Sequence, residues 1–398
     1  MFKSNSGNVL LLSEGDAPES TQRLGVSMHC HTRHSREILD FVPYYAERIP
    51  VVASLWRRSM RRRQERFGSV PNFNVGYWEP PLEPHEVVAS ETANLAKLGL
   101  GAIVSITDHD SIDGTRDGSL NAPISMEWTV PFRNAFFHVG VHNLPREEAD
   151  EITGTLLAYT YAEGEPDDEK LGEILEILDE KRDVLVVLNH PIWDIEMIGQ
   201  QAHEIALRQF LSVHGERMHA IEVNGFRSWD ENLTAIRLAE SLGKPIVSGG
   251  DRHCCQANTM VNATEAATFE EFVDDIRVRA QSTIVVQPAY HDALPTRQLT
   301  SMRQILARYA EGRRSRWIDR IHIDPLGDGQ LTTLSEYWGG REPVWATLAL
   351  GALRLMSSPL VAPLISVCVG DIDVGRDDTP TIATTSTMIV QKPFVVNS

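Results

Sequence analysis

Short apolar runs rich in valine and isoleucine recur along the chain with stretches of helical spacing between them, and this alternation limits the available folds more than any other feature. The runs are Gly25 to Met28, Ala102 to Ile106, Ile124 to Val130, Phe136 to Val141, Val184 to Leu188, Ala220 to Val223 and Pro245 to Val247. Continuous apolarity of this kind suits strands covered on both faces. Helical spacing occupies Pro84 to Leu98, Glu147 to Tyr161, Asp168 to Glu180, Ala202 to Val213, Glu231 to Leu242 and Thr268 to Ala280. Strand and helix in alternation predict an α/β chain, built as a barrel or a doubly wound sheet. Residues 1–24 read as a loose tail or an edge element, and an insertion at about 41–83 interrupts the α/β region of 25–290. Residues 291–398 read as an appended, mainly helical region.

Four of the apolar runs lead into a histidine set in polar sequence: His29-Cys30-His31-Thr32, Thr107-Asp108-His109-Asp110, Asn189-His190-Pro191 and Asp251-Arg252-His253. Side chains two apart on an extended strand project to the same side, so His29 with His31, and Asp251 with His253, can each reach one ion. Cys30 and Arg252 then face elsewhere. In a barrel the carboxyl ends of the strands meet at one rim, which gathers residues far apart in sequence. Each HxH or DxH pair alone is a weak signal; their order and shared placement at strand ends carry the argument.

Glu127 lies inside an otherwise apolar strand, where an unpaired carboxylate costs several kcal/mol, so it needs a cation or strong donors. A bridge between two metal ions would supply that. Alone, His138 in Phe136-Phe137-His138 reads as a core histidine with a satisfied hydrogen bond, and the neighbouring motifs turn the reading towards ligation. Imidazole and carboxylate donors without a thiolate suit zinc, manganese or ferrous iron better than a magnesium cage.

Composition narrows the partners. With 42% hydrophobic and 23% charged residues the chain can bury a large core, and its formal charge of -18 argues against a general grip on nucleic-acid phosphates. Arg57, Arg58, Arg61, Arg62, Arg63 and Arg66 run against that balance and read as the solvated face of a helix, with a phosphate-attracting patch as the alternative. Cys30, Cys254, Cys255 and Cys368 form no CxxC pair or disulfide pattern, so a reducing cytoplasm is expected. The run from Val9 to Leu12 is too short for a secretory core, and Arg354, Pro359 and Pro363 break the apolar stretch from Val344 to Val369 into buried or interfacial helices.

HCHT, then TDHD followed by Ser111-Ile112-Asp113-Gly114, then MEWT with its later histidine, then NHP and GGDRH, resemble the successive motifs of the PHP (polymerase and histidinol phosphatase) family over about residues 25–290. The resemblance implies a distorted (β/α)7 barrel with two or three divalent ions of zinc, manganese or iron, hydrolysing a phosphate ester with metal-activated hydroxide. It implies one ion among His29, His31, Glu127 and Asp251, a second at Glu127, His138 and His190, and a third served by His109 and His253. Many members carry an aspartate after the serine that follows HxHT, whereas here Ser35 precedes Arg36. A cation cannot hold a cation, so either Glu37 or Asp40 substitutes, or the third ion is weak or absent and Arg36 faces the substrate phosphate.

The expected substrate is a small phosphomonoester or nucleotide, with no nucleic-acid or membrane partner. Arg36, Asn224 and Arg252 are the candidates for contacting it, although Asn224 before Gly225 also reads as a turn residue. Asp108, Asp110 and His253 are the candidates for protonating the leaving group. A metal-dependent amidohydrolase also begins with HxH and ends with a strand-terminal aspartate, but it leaves no place for TDHD or for the Asp251-x-His253 pair. A metal-binding regulatory module without turnover is a further alternative, kept open by Arg36, and a nuclease or proofreading module lacks aromatic residues interleaved with the arginine cluster.

Overall fold

A computed structural model describes residues 2–4, 6–13, 15–18, 21–48, 50–306, 316–358 and 361. Strands β1 (Phe2–Ser4), β2 (Gly7–Leu11), β3 (Leu24–Cys30) and β4 (Glu37–Ile38) come first, then the insertion with helices α1 (Phe41–Arg48) and α2 (Pro50–Phe67) and strand β5 (Asn72–Trp78). The alternating stretch runs α3 (Pro84–Lys97), β6 (Gly101–Ile106), β7 (Met126–Phe132), β8 (Ala135–His142), α4 (Ala149–Thr160), α5 (Asp168–Glu180), β9 (Leu185–Leu188) and α6 (Gln200–His214). It continues through β10 (Ala220–Asn224), α7 (Trp229–Leu242), β11 (Ile246–Gly249), β12 (Met260–Thr264), α8 (Phe269–Arg277) and β13 (Thr283–Val286). Beyond it lie α9 (Leu294–Ile305), β14 (Ile321–Asp324), β15 (Thr332–Thr333), α10 (Leu334–Tyr337) and α11 (Val344–Met356).

Local chemistry sets these boundaries. Asp167 caps α5 by accepting from the Glu169 and Lys170 backbone N–H groups, and the helix buries Leu171, Ile174, Leu175 and Leu178 on one stripe. Ser228 and Glu231 close a capping box on α7, and Gly243 ends it in the left-handed conformation at φ 63°. The strands are apolar at successive positions because helices cover them: β9 reads Leu-Val-Val-Leu and all four residues are buried.

The strands form three sheets, ordered β1-β2-β13-β12-β3-β6, β11-β10-β9-β8-β7 and β15-β14-β5-β4. The fold is thus mixed α/β, and among the described residues no ladder closes a (β/α)7 barrel. The first two sheets meet at isolated bridges, Cys30 with Arg252 and His109 with Glu127. Antiparallel pairing of β8 with both β7 and β9 also departs from an all-parallel barrel. The physical reason lies in the chain itself: β7 and β8 are joined by two residues, Arg133 and Asn134, and so short a connection allows only a hairpin.

The first residues supply an edge element, with β2 parallel to β13. The region after 290 is not wholly helical: β14 pairs with β5 of the insertion, so chain segments some 240 residues apart build one small sheet. Arg57, Arg58, Arg61, Arg62 and Arg66 lie exposed on α2, while Arg63 donates to Tyr337 Oη and to the Pro325 carbonyl. Helix α11 leaves Val344, Trp345, Leu348 and Leu355 exposed and buries Ala346 and Leu353, and the chain from 362 to Val369 lies outside the described residues. No described helix is long and apolar enough to cross a membrane. Cys30, Cys254 and Cys255 are free thiols, and Cys368 lies outside the described residues.

The largest core cluster packs Trp128, Phe132, Phe137 and Phe210 with aliphatic side chains of β7 to β10 and α4 to α7. Trp128 is fully buried, and its indole N–H donates to the Leu156 carbonyl and to Thr160 Oγ1. Truncation of such a residue costs about 3–5 kcal/mol. The core fixes the ends of β7, β8, β9 and β10, where the histidines and carboxylates emerge.

Candidate metal centre

Three of the predicted ligands interrupt regular backbone. His29, His190 and Asp251 have φ of 60°, 25° and 51°, and Asp110 has 51°. Non-glycine residues in this region carry strain of about 1–3 kcal/mol each and hold it only where the surroundings over-determine them. The register of β3 against β6 shifts between Ser27 and Cys30, so His29 and His31 converge through a bulge rather than through the simple alternation of an extended strand. Gly249 makes room below: a Cβ there would stand 1.7 Å from Glu222 Oε1.

Glu127, fully buried, is the hub. Its Oε2 lies 3.0 Å from His29 Nε2, 3.4 Å from His31 Nε2 and 3.3 Å from His109 Nδ1. Its Oε1 lies 3.2 Å from His138 Nδ1 and 3.1 Å from His190 Nε2, and it accepts from Asn189 Nδ2. Asp251 Oδ1 stands 3.9 Å from the Nε2 atoms of both His29 and His31 and 3.4 Å from His253 Nδ1. Four sets of donor atoms are close enough to share an ion: His29, His31 and Asp251; His29, Glu127 and His190; His109, Glu127 and His138; and His31, Glu37, His109 and His253. All eight predicted metal ligands are therefore gathered in one place, and Glu37 joins them.

Many of these atoms lack hydrogen-bond partners despite their proximity. Glu127 Oε2, His29 Nε2, His31 Nε2, His109 Nδ1, His138 Nδ1 and His253 Nε2 are buried without one. Within each of the four sets the donor atoms lie within 4.8 Å of one another. Uncompensated, each such group costs about 1–3 kcal/mol, and a divalent cation is the ligand that satisfies nitrogen and carboxylate lone pairs together.

The outer atoms of the rings are held. His29 Nδ1 bonds Glu222 Oε1 at 2.5 Å, and Glu222 Oε2 accepts from the His190 N–H and from Asn224 Nδ2. Ser35 Oγ meets His31 Nδ1, donates to Glu37 Oε1 and accepts from the His109 N–H. Such partners fix tautomer and orientation around a metal. Electrostatics follow the geometry. Burial opposes charge on His29, but Glu127 and Glu222 outweigh it and hold its pKa well above the usual range. Burial likewise opposes charge on Glu127, and His29, His138 and His109 outweigh it and hold the carboxyl well below its usual range.

The other predicted residues are placed as follows. Both oxygens of Asp108 accept from Thr32, one from its N–H and one from its hydroxyl, and burial pushes the carboxyl up to about 7. Asp110 accepts from the Thr129 N–H at the edge of the cage. Arg36 is exposed, with its guanidinium 5.2 Å from the Tyr77 ring. Asn224 is buried, donating to Glu222 Oε2 and, at 3.5 Å, to Asp251 Oδ2, while its Oδ1 accepts from the Phe226 N–H. Arg252 turns away from the cage into a buried contact with Glu91 at 3.0 Å and donates to Ser90 Oγ.

Two site residues have no counterpart among the predicted ones. Glu222 orients His29, and its signal was its alternation with Asn224 on the strand end. Arg227 donates from Nη2 to Asp251 Oδ2 at 3.1 Å and lies 3.5 Å over the Trp193 ring; a lone arginine three residues past a strand gave no signal.

No family model matches the chain, and no curated protein matches it by sequence. Solved structures similar to it include PsfC from Pseudomonas syringae, with 18% identity and TM-score 0.35 over 52% of this chain and 85% of that one. An amidohydrolase from Chromobacterium violaceum, with bound sulfate and no metal, gives 14% and 0.32 over 57% of this chain and 87% of that one. A presumed metal-dependent phosphoesterase from Bifidobacterium adolescentis gives 12% and 0.29 over 60% of this chain and 89% of that one. At these TM-scores the likenesses carry no argument about site or activity.

Proposed function

We propose that this chain is a metal-dependent phosphoesterase of the PHP type that hydrolyses a small phosphomonoester or nucleotide in the cytoplasm. The observation that carries the reading is the cage of buried nitrogen and oxygen atoms around Glu127 that lack hydrogen-bond partners. Their chemistry fits two or three ions of zinc, manganese or iron, with Glu127 shared between sites and Glu37 standing where Arg36 cannot. Bound there, divalent ions supply an acidified water and neutralise charge on the phosphoryl oxygens.

The chain's own residues do the rest. Glu222 and Ser35 hold His29 and His31 in the tautomers that present Nε2 inward. Asp108, engaged by Thr32, braces the loop after β3, and His253 belongs to the group with His31, Glu37 and His109, which leaves Asp110, held by the Thr129 N–H, to protonate the leaving oxygen. Arg36, exposed beside Tyr77, is the residue that would meet the outer part of a substrate. The test is to incubate the purified chain, loaded in turn with manganese, zinc and ferrous iron, with phosphorylated metabolites and with amides. Inorganic phosphate release that stops on chelation supports the proposal. Ammonia release without phosphate release would make it an amidohydrolase, and inertness towards both would make it a binding module.

A further inference from the structure

DRH near the end of β11 offers one arginine and the loop after β10 offers another, and the structure gives them opposite fates. Arg252 is committed to Glu91 below the cage. Arg227 stays beside it: its Nη2 contacts Asp251 Oδ2, the oxygen turned away from the cage, while Asp251 Oδ1 faces the histidines. Its guanidinium lies over the Trp193 indole, 3.5 Å from the ring centroid, and the Trp193 and His190 rings meet edge-on at 5.1 Å. Stacking on an aromatic face fixes the plane of the fork and leaves its N–H edges free to donate. Its Nε–H is buried and has no hydrogen-bond partner. The same residue lines a small cavity with His190, Trp193, Glu222 and Asn224.

We propose that Arg227 grips the substrate's phosphoryl group, acting as the anion-binding residue of the site, with Trp193 as the platform that sets its plane. This rests on the phosphoesterase reading above and names the residue that makes the site selective for an anionic ester. A partly buried, one-sided guanidinium next to a cation cage suits a phosphoryl group, whose oxygens can be shared between cation and fork. Contact with Asp251 alone leaves the Nε donor unused. It also gives no reason for an aromatic stack.

The test is titration calorimetry of inorganic phosphate into metal-loaded protein, alongside metal content by elemental analysis and the separate values of kcat and KM. In Arg227→Gln, phosphate affinity should fall roughly 10- to 100-fold, with KM rising by a similar factor and metal per chain unchanged. Arg227→Lys, which keeps the charge and loses the fork, should recover part of the loss. Trp193→Leu should weaken phosphate binding by a smaller factor. Wild-type affinity for phosphate in a metal-replete Arg227→Gln would overturn the proposal while leaving the phosphoesterase reading intact. Loss of metal from that variant with unchanged phosphate affinity per loaded chain would reduce Arg227 to a brace for Asp251, which also overturns it. Wild-type protein that neither binds nor releases phosphate would remove both readings together.

Discussion

Two buried histidine groups, one paired with the exposed Asp179 and the other gathered round the buried Glu127, lie at opposite ends of the strands and show why residue type alone does not make a site. Behind β9, His219 accepts the Val186 N–H at Nδ1 and pairs with Asp179 Oδ1 through Nε2, and Arg277 adds bonds to Asp179 and to the Lys181, Arg182 and Val184 carbonyls. Each polar atom of that imidazole has a protein partner, and the group serves as a clasp. At the opposite end Glu127 Oε2 and the inward nitrogens of His29, His31, His109 and His138 are buried without a hydrogen-bond partner, while His190 Nε2 meets Glu127 Oε1 at 3.1 Å. The first arrangement is complete as folded. The second leaves donor atoms in groups close enough to share an ion.

The sharpest way to break this contrast is Glu127→Gln. An amide halves the acceptor capacity and removes the charge shared by several imidazoles, so bound metal should fall below one ion per chain and turnover by about a thousandfold or more, corresponding to the several kcal/mol that metal electrophiles contribute. Unchanged metal content would show that Glu127 bridges nothing. His190→Ala should cost less metal, at a single group of donors, with turnover down roughly a hundredfold and the fold retained in circular dichroism. Full activity in that variant would contradict its assignment. Glu37→Gln is more selective still: it touches only the group with His31, His109 and His253, so metal stoichiometry should drop by one and turnover by roughly tenfold. Equal stoichiometry in this variant and wild type would mean that Glu37 holds His109 and His253 as a plain ion-pair partner.

The smallest effect sharpens the clasp side of the comparison. Burial pushes the pKa of His219 down to about 4 and that of His214, packed against Phe132 and Phe210, also to about 4. Both are neutral in the folded chain, while their unfolded counterparts take up protons near pH 6.5. Stability from keeping them neutral is therefore full above about pH 6.5 and declines as pH falls towards 4. Urea midpoints measured across that window should fall with acidification, and His214→Leu should flatten part of the slope. A wild-type profile that is level between pH 6.5 and 4 would contradict the buried neutral state.

Sequence period and residue identity made seven strands of the α/β region legible, though not β12 or β13, together with the candidate ligands. Apolar runs leading into histidine carry both the element and its chemistry, so the eight residues from His29 to His253 that the structure gathers around Glu127 were all candidates from the sequence. What lay beyond reach depends on direction and distance. Closure into a barrel was not readable because the two-residue link between β7 and β8 forces a hairpin and isolated bridges replace ladders at the sheet junctions. The pairing of β5 with β14 joins segments far apart, and neither carries a local mark of its partner. Arg252 and Arg227 differ in what faces them, Glu91 for the first and Asp251 with Trp193 for the second, and neither partner is marked in the local sequence. A motif lists residues; it does not aim them.

The most direct test of the central claim is anomalous diffraction from crystals of the metal-loaded chain, collected at the zinc, manganese and iron edges. Two or three peaks enclosed by His29, His31, Glu127, His138, His190 and Asp251, with one of them within reach of Glu37, are the predicted result. Peaks elsewhere, or none, with those side chains rotated to hydrogen-bond one another, would contradict it.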